Sequence, residues 1–360
     1  MHLITNRPGK IPGVTEYDLR RPLDTRRRMA RYRDLNFNIT AARYLRAVCD
    51  VRRLVRRLNP DVLHLHTLYY PAYLGIYTRF HPMVVTPWDG DVVVHQSTRS
   101  RWHKWLVKIA LQMADLITVD SEELRDACLS YGRLKGYDKL HVVQWGVDLE
   151  TFEPMDGATL RSQLGLPPNA PVVLSTRHLA SPYNVDVIIK TVPFVLREFP
   201  SAQFIFLYLS GALLREYKEL TDMLGVSESV HFLGSVAEYA DLAEYYGLAD
   251  VYVSVSSWDT TSVSLLEAMA CGAPPIVGDL PSLREWVTDG YNGLAVPLRD
   301  VQATAGAIVR MLADENLRKR FAQFNLELVR LRADHEKEMS RMEQLYYSVI
   351  GKRKTGLAPS

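Results

Sequence analysis

Cysteine is scarce in this chain: Cys49, Cys128 and Cys271 are the three in 360 residues, and they lie far apart. Such spacing gives neither a disulfide framework nor a zinc-ligand set, so they read as buried thiols. Long apolar runs are absent too. Nothing approaches the roughly 18 residues of a membrane span, and the opening Met-His-Leu-Ile-Thr-Asn-Arg lacks the basic, apolar and small-residue order of a secretion signal. A cytoplasmic protein is the expectation. No repeat of solenoid period and no low-complexity tract occurs, which argues against repeat arrays and disordered linkers.

The length exceeds what one hydrophobic core usually holds and predicts two domains. A net charge of +2 conceals a polarity. Residues 1–60 carry 15 Arg plus Lys against 5 Asp plus Glu, leaving 28 against 36 elsewhere, so the first sixth is +10 and the remainder −8. The excess sits in residues 20–33 and in 43–58, where Leu45, Val48, Val51, Val55 and Leu58 recur at helical spacing opposite Arg46, Arg52, Arg53, Arg56 and Arg57. Solvation is the commonest meaning of such a face. Attraction to an anionic membrane surface is the alternative, and nucleic acid the least favoured partner.

From residue 60 onward, short β-branched runs alternate with helical patterns. Strands are expected at 62–66, 83–86, 116–119, 141–143, 172–175, 204–208, 230–233, 251–254, 275–277 and 294–296. Helices are expected between them, including 101–113, 122–130, 185–198, 263–270 and 283–289, with a final helix over 326–350. Strict alternation predicts an α/β protein with doubly wound parallel sheets. Gly146, Gly157, Gly165 and four prolines through Pro171 mark a linker between two such domains, placed at 1–150 and 151–330, with the helix near 331–352 packing back on the first.

The stretch Asp259-Thr-Thr-Ser-Val-Ser-Leu-Leu-Glu267-Ala-Met-Ala-Cys-Gly272 carries the most chemistry. Two carboxylates eight positions apart bracket a loop that turns into a helix. Small and hydroxylated residues between them let backbone N–H groups face an anion at the helix N-terminus. Ionised Asp259 and Glu267 accept hydrogen bonds from sugar or ribose hydroxyls. The bland alternative is a core helix that Asp259 or Ser262 merely caps, with Leu265, Leu266 and Met269 packed beneath.

Four further segments accompany this loop in a fixed order. They are Thr86-Pro-Trp-Asp-Gly-Asp91, Trp145-Gly-Val-Asp148 through Pro154, Arg177 at a strand end, and Phe232-Leu-Gly234; Pro281 to Trp286 then closes the loop. Together they resemble family 4 of the retaining glycosyltransferases, with the GT-B fold: two Rossmann-like domains whose parallel sheets face across a cleft. The resemblance implies that Glu267 binds ribose hydroxyls of a UDP- or GDP-sugar and that Asp259 holds the donor sugar. It implies that the backbone of Ser262, Val263 and Ser264 faces the diphosphate, that Arg177 offsets charge on the leaving phosphate, and that Gly234 and Ser235 lie against the base. Asp91 matches the acidic residue near acceptor and reacting sugar. No metal and no other cofactor is implied, and the acceptor is a sugar or a lipid-linked molecule, with a place at the inner membrane face if the basic segment contacts lipid.

Four departures from the family pattern stand out. Trp88 occupies a position where the family often has His; His64, His66, His81 and His95 are nearby substitutes, with His66 favoured because it ends a strand. Tyr183 occupies the place of a Lys six residues after the Arg, and the first acid of the pair is Asp in place of Glu. The segment from His2 resembles the family's second strand, which predicts that a first strand, Gly-rich turn and helix are missing. The function implied is retaining transfer of a hexose-type sugar from a nucleoside diphosphate sugar, in polysaccharide or glycolipid assembly. A sugar-nucleotide epimerase on the same fold and a non-catalytic binding protein or fragment are the alternatives.

Overall fold

The computed structural model describes residues 2–5, 15–18, 41–68, 70–92, 101–132 and 138–354. Two units divide the chain, one drawn from residues 1–119, 124–142 and 343–360, the other from 120–123 and 143–342. His95 and the basic stretch 20–33 lie outside the described residues.

In the first unit β1 (His2–Thr5) and β2 (Thr15–Asp18) pair in parallel as a two-stranded sheet. A second, four-stranded sheet sets β3 (Leu63–His66), β4 (Met83–Thr86), β5 (Leu116–Val119) and β6 (Leu140–Val142) side by side, all parallel. Every residue of β4 and β5 is buried. That follows from parallel strands covered on both faces, which read as continuous apolar runs without alternation. The helix Ala41–Leu58 buries Val51, Leu54 and Val55 and exposes Arg46, Arg52, Arg53, Arg56 and Arg57, so its basic face is on the surface. Sequence pattern missed β2, because Thr-Glu-Tyr-Asp offers no apolar run.

In the second unit six parallel strands form one sheet: β7 (Val172–Ser175), β8 (Gln203–Leu207), β9 (Val230–Gly234), β10 (Val251–Ser254), β11 (Pro275–Gly278) and β12 (Leu294–Val296). Their order is β12-β11-β10-β7-β8-β9. Successive side chains leave opposite faces of a strand, and the core obeys this. Leu174, Ile205, Leu207 and Tyr252 enter one apolar cluster, while Val173, Phe204, Phe206, Val251 and Val253 enter the other. The chain runs outward from β7 through β8 to β9, then returns to lay β10 against β7 and proceeds the other way. Such a reversal opens a crevice at the carboxyl ends of the two central strands, the place where open α/β sheets bind ligands.

Three expectations need correction. The C-terminal helix predicted over 326–350 is two helices, Glu315–Arg332 and His335–Lys354. Ala333 leaves helical geometry at φ −141°, ψ 28°, and its carbonyl accepts from the Val147 N–H at 2.7 Å while the His335 N–H donates to Val147 O at 3.1 Å. Backbone pairing with the Gly146–Val147 segment therefore competes with the helix and wins. Gly146 is required there: its φ is +71°, and a Cβ would lie 2.6 Å from His335 Cα. The helix expected at 283–289 is a single turn, Pro281–Arg284, started by its proline. Cys49 is exposed, whereas Cys128 and Cys271 are buried as expected. Among the described residues no helix is long and apolar enough to cross a membrane.

Candidate functional site

Arg177 leaves the carboxyl end of β7, and the loop 255–262 leaves the carboxyl end of the adjoining β10, so the topological reversal brings them together. Arg177 Nη2 lies 2.7 Å from Asp259 Oδ2, with the two side chains 12% and 13% exposed. Its Nη1 donates to Ser262 Oγ at 2.6 Å and to Ser264 Oγ at 3.2 Å. Tyr183, which replaces the Lys of the family pattern, stacks its ring beneath the guanidinium, 4.7 Å from Cζ to the ring centre. A cation over a tyrosine face is attracted by the ring quadrupole, so Tyr183 supports the charge of Arg177 without adding one. Burial disfavours the cation, but Asp259 and three neighbouring tyrosines outweigh it. Arg177 Nε is buried and meets no acceptor among the described residues.

Ser262 occupies the N-cap position of the helix Val263–Ala270 with extended backbone, φ −75° and ψ 112°, yet its side chain makes no cap hydrogen bond. The hydroxyl faces Arg177 instead. Merely capping a core helix with its side chain is therefore not what Ser262 does; its carbonyl accepts the N–H groups of Leu265 at 3.0 Å and Leu266 at 3.2 Å, and those of Val263 and Ser264 keep no intrahelical acceptor.

One turn further on, Glu267 is 3% exposed. Tyr246 Oη donates to its Oε2 at 2.9 Å, and Tyr239 Oη donates to Oε1. Burial pushes the carboxyl above its ordinary range, and the two phenols pull it part of the way back. Burial also raises both tyrosines, which keeps them protonated donors. Tyr252 Oη lies 3.0 Å from Ser264 Oγ, and Thr176 Oγ1 lies 3.1 Å from Tyr246 Oη, which joins the Arg177 and Glu267 clusters through hydroxyls.

A clamp holds the loop from behind. Asp120 accepts from Thr260 Oγ1 at 2.8 Å through Oδ2 and from Thr261 Oγ1 at 2.5 Å through its carbonyl. Trp286 Nε1 donates to Thr261 Oγ1 at 3.1 Å, and Ser282 Oγ to Asp259 O at 2.7 Å. Glu285 accepts the N–H groups of Glu122 and Glu123, each at 3.0 Å. Asp148 of the Gly-Val-Asp segment is local in its bonds: it accepts from Thr151 Oγ1 at 2.7 Å and from the N–H of Glu150 at 3.1 Å. Phe152 from the same segment meets Tyr239 edge-on at 5.1 Å between ring centres.

Of the residues expected from sequence, the structure thus brings together Arg177, Asp259, Ser262, Val263, Ser264 and Glu267. Gly234 and Ser235 stand at the end of β9, where φ +78° at Gly234 turns the chain off the strand. Asp91 belongs to the first unit. It is 1% exposed, and its Oδ2 accepts from the N–H groups of Leu68 at 2.7 Å and Trp88 at 2.8 Å, tying the loops that follow β3 and β4. His64 bridges Tyr346 Oη at 2.5 Å and Thr86 Oγ1 at 2.7 Å, and burial lowers its pKa to about 3. His66 is exposed beside it, with ring centres 3.9 Å apart, and His81 pairs with Asp115 at 2.7 Å. Sequence reasoning missed Tyr239, Tyr246, Tyr252, Thr176 and Asp120. Tyr246 and Tyr252 fit the core pattern of their elements, and only tertiary contact shows their hydroxyls to be used.

Residues 2–151 match the family described as Glycosyltransferase Family 4, and residues 156–327 the family described as Glycosyl transferases group 1. The chain is similar to a D-inositol 3-phosphate glycosyltransferase of Xylanimonas cellulosilytica, at 32% identity over 58% of this chain and 50% of the relative. It therefore spans about half the length of that relative. It is also similar to the N-acetyl-alpha-D-glucosaminyl L-malate synthase of Bacillus anthracis, at 23% identity over 84% of this chain and 78% of that one. Its fold matches the sucrose-phosphate synthase of Thermosynechococcus elongatus, with TM-score 0.73 and 24% identity over 86% and 79% of the two chains. The Anabaena HepE protein solved in complex with UDP gives TM-score 0.73 at 21% identity, over 84% and 82%. The chain thus carries a Glycosyltransferase Family 4 domain followed by a glycosyl transferases group 1 domain, in the GT-B fold of two Rossmann-like units.

Proposed function

We propose that this protein is a retaining glycosyltransferase that moves a hexose-type sugar from a nucleoside diphosphate sugar to an acceptor hydroxyl. The observation that carries the reading is Arg177. It sits at the sheet's reversal point beside the start of the helix Val263–Ala270, with a buried Nε that meets no acceptor among the described residues. A planar cation with a spare donor next to open helix N–H groups suits a phosphate. As the sugar–phosphate bond breaks, charge grows on the leaving phosphate and an oxocarbenium-like sugar forms. Arg177 and the N–H groups of Val263 and Ser264 offset that charge in a site already organised to receive it. We ascribe the positive field to these groups and infer no resident metal or cofactor.

Glu267 takes the ribose hydroxyls, Asp259 the hydroxyls of the donor sugar, and Gly234 with Ser235 the base. Asp91 serves the acceptor side through the loops it ties. The acceptor attacks the face from which the phosphate departs, and its proton passes to that phosphate, so no protein nucleophile is needed. The acceptors are sugars or lipid-linked molecules, and the exposed arginines of the helix Ala41–Leu58 supply attraction to an anionic membrane face, which would suit cytoplasmic glycolipid or polysaccharide assembly.

The test is incubation with UDP- and GDP-hexoses, with and without sugar acceptors, following nucleotide release and the anomeric configuration of any product. Release coupled to an α-linked product from an α-linked donor supports the reading. Epimerised nucleotide sugar without acceptor would favour an isomerase, and UDP or GDP binding with neither transfer nor epimerisation a non-catalytic binding role.

A further inference from the structure

The carboxylate assigned to the ribose is already occupied by protein. Glu267 accepts one phenol on each oxygen, Tyr239 on Oε1 and Tyr246 on Oε2, and is itself 3% exposed. The two tyrosines are not equivalent. Tyr246 is fully buried in the helix Asp241–Leu248, whereas Tyr239 is 58% exposed in the connection between β9 and that helix. Tyr239 touches Phe152 only edge-on, at 5.1 Å between ring centres, and such a contact allows the ring to swing outward without opening a core cavity.

We propose that Tyr239 is a specificity-determining residue whose hydroxyl stands in for a nucleotide hydroxyl on Glu267 and must yield when a nucleotide binds. The inference rests on the reading of Glu267 as a ribose ligand and deepens it. A ribose hydroxyl and the Tyr239 phenol are chemically alike as donors to a carboxylate, so one replaces the other with little change in bonding. Tyr246 keeps its bond to Oε2 throughout and holds the carboxylate in place. Bound nucleotide therefore gains only the difference between its own hydrogen bond and the one Tyr239 gives up, which weakens binding and penalises ligands that cannot return an equivalent donor.

The experiment measures UDP and GDP affinity by calorimetry for four proteins: parent, Tyr239→Phe, Glu267→Ala and the double variant. Phenylalanine keeps the ring against Phe152 and removes the competing hydroxyl, so Tyr239→Phe should bind the preferred nucleotide several-fold to about tenfold more tightly. Glu267→Ala should bind more weakly, and adding Tyr239→Phe to it should change nothing further, because the effect of Tyr239 runs through Glu267. Thermal unfolding of Tyr239→Phe close to the parent's would confirm an intact fold. If Glu267→Ala weakens binding but Tyr239→Phe leaves it unchanged or weaker, the stand-in role is wrong and the ribose assignment survives. Unchanged affinity in Glu267→Ala would remove both.

Discussion

The guanidinium of Arg177 and the carboxylate of Asp259 lie 2.7 Å apart at the carboxyl ends of adjoining strands, both side chains nearly buried. Sequence separates them by 82 positions, and the pair exists because β10 returns to β7. Asp259 therefore has a task besides any contact with sugar: it holds Arg177 charged and in place. Removing one member of a pair so little exposed leaves the other without compensation. Asp259→Ala should lose about 3 kcal/mol of unfolding free energy in urea. Saturating UDP or GDP should restore part of that loss, because a phosphate supplies Arg177 with a replacement anion. No recovery with either nucleotide would count against a phosphate beside Arg177.

Arg177→Ala should separate the phosphate from the rest of the ligand. A charge-assisted hydrogen bond contributes about 1.5–3 kcal/mol, so affinity for the nucleoside diphosphate should fall roughly tenfold to a hundredfold. Affinity for the bare nucleoside should hardly move. Arg177→Lys should recover little, since an ammonium cannot reach Asp259, Ser262 and Ser264 as a planar fork does. Equal losses for both ligands would contradict the assignment.

Glu267 makes a prediction about pH. Burial raises its pKa in the folded protein above the 4.5 of an ordinary glutamate, so folded protein holds the proton to higher pH than unfolded protein does. Across the window from 4.5 up to the folded value, stability contributed by this group falls as pH rises. Glu267→Gln is neutral at every pH and should remove that slope from urea midpoints measured from pH 4.5 upward. A slope that persists unchanged in Glu267→Gln would assign it to other carboxylates.

The basic face of the helix Ala41–Leu58 is tested with vesicles. At low salt the protein should sediment with anionic but not neutral vesicles, and the association should fade as salt screens it. Reversing Arg46, Arg53 and Arg57 to Glu should abolish it. Protein that stays in the supernatant with anionic lipid would leave this face to solvent alone.

Much of the framework follows from residue pattern. Ten strands from β3 to β12 lie at or within a residue of their expected places, and β4, β5, β7, β8, β10 and β11, buried at every position, are mostly apolar because a strand covered on both faces has to be. The helix Val263–Ala270 and its acidic pair are legible for the same local reason: hydroxylated residues, then an apolar helix, between two carboxylates. Where local preference competes with distant contact, pattern fails. Residues 326–350 read as one helix, yet Ala333 pairs its backbone with Val147 and the helix breaks.

Site chemistry divides along the same line. Residue types named Arg177, Asp259, Ser262, Ser264 and Glu267 as candidates, since charge and hydroxyl chemistry are visible in a sequence. Which of them meet was decided by the β7–β10 adjacency, a long-range pairing that no window of neighbouring residues contains. Tyr239, Tyr246, Tyr252 and Asp120 carried no sequence signal, because a tyrosine reads as packing and a lone aspartate as surface. Their hydroxyl and carboxylate partners lie 12 to 141 positions away, and only the folded chain brings donor to acceptor.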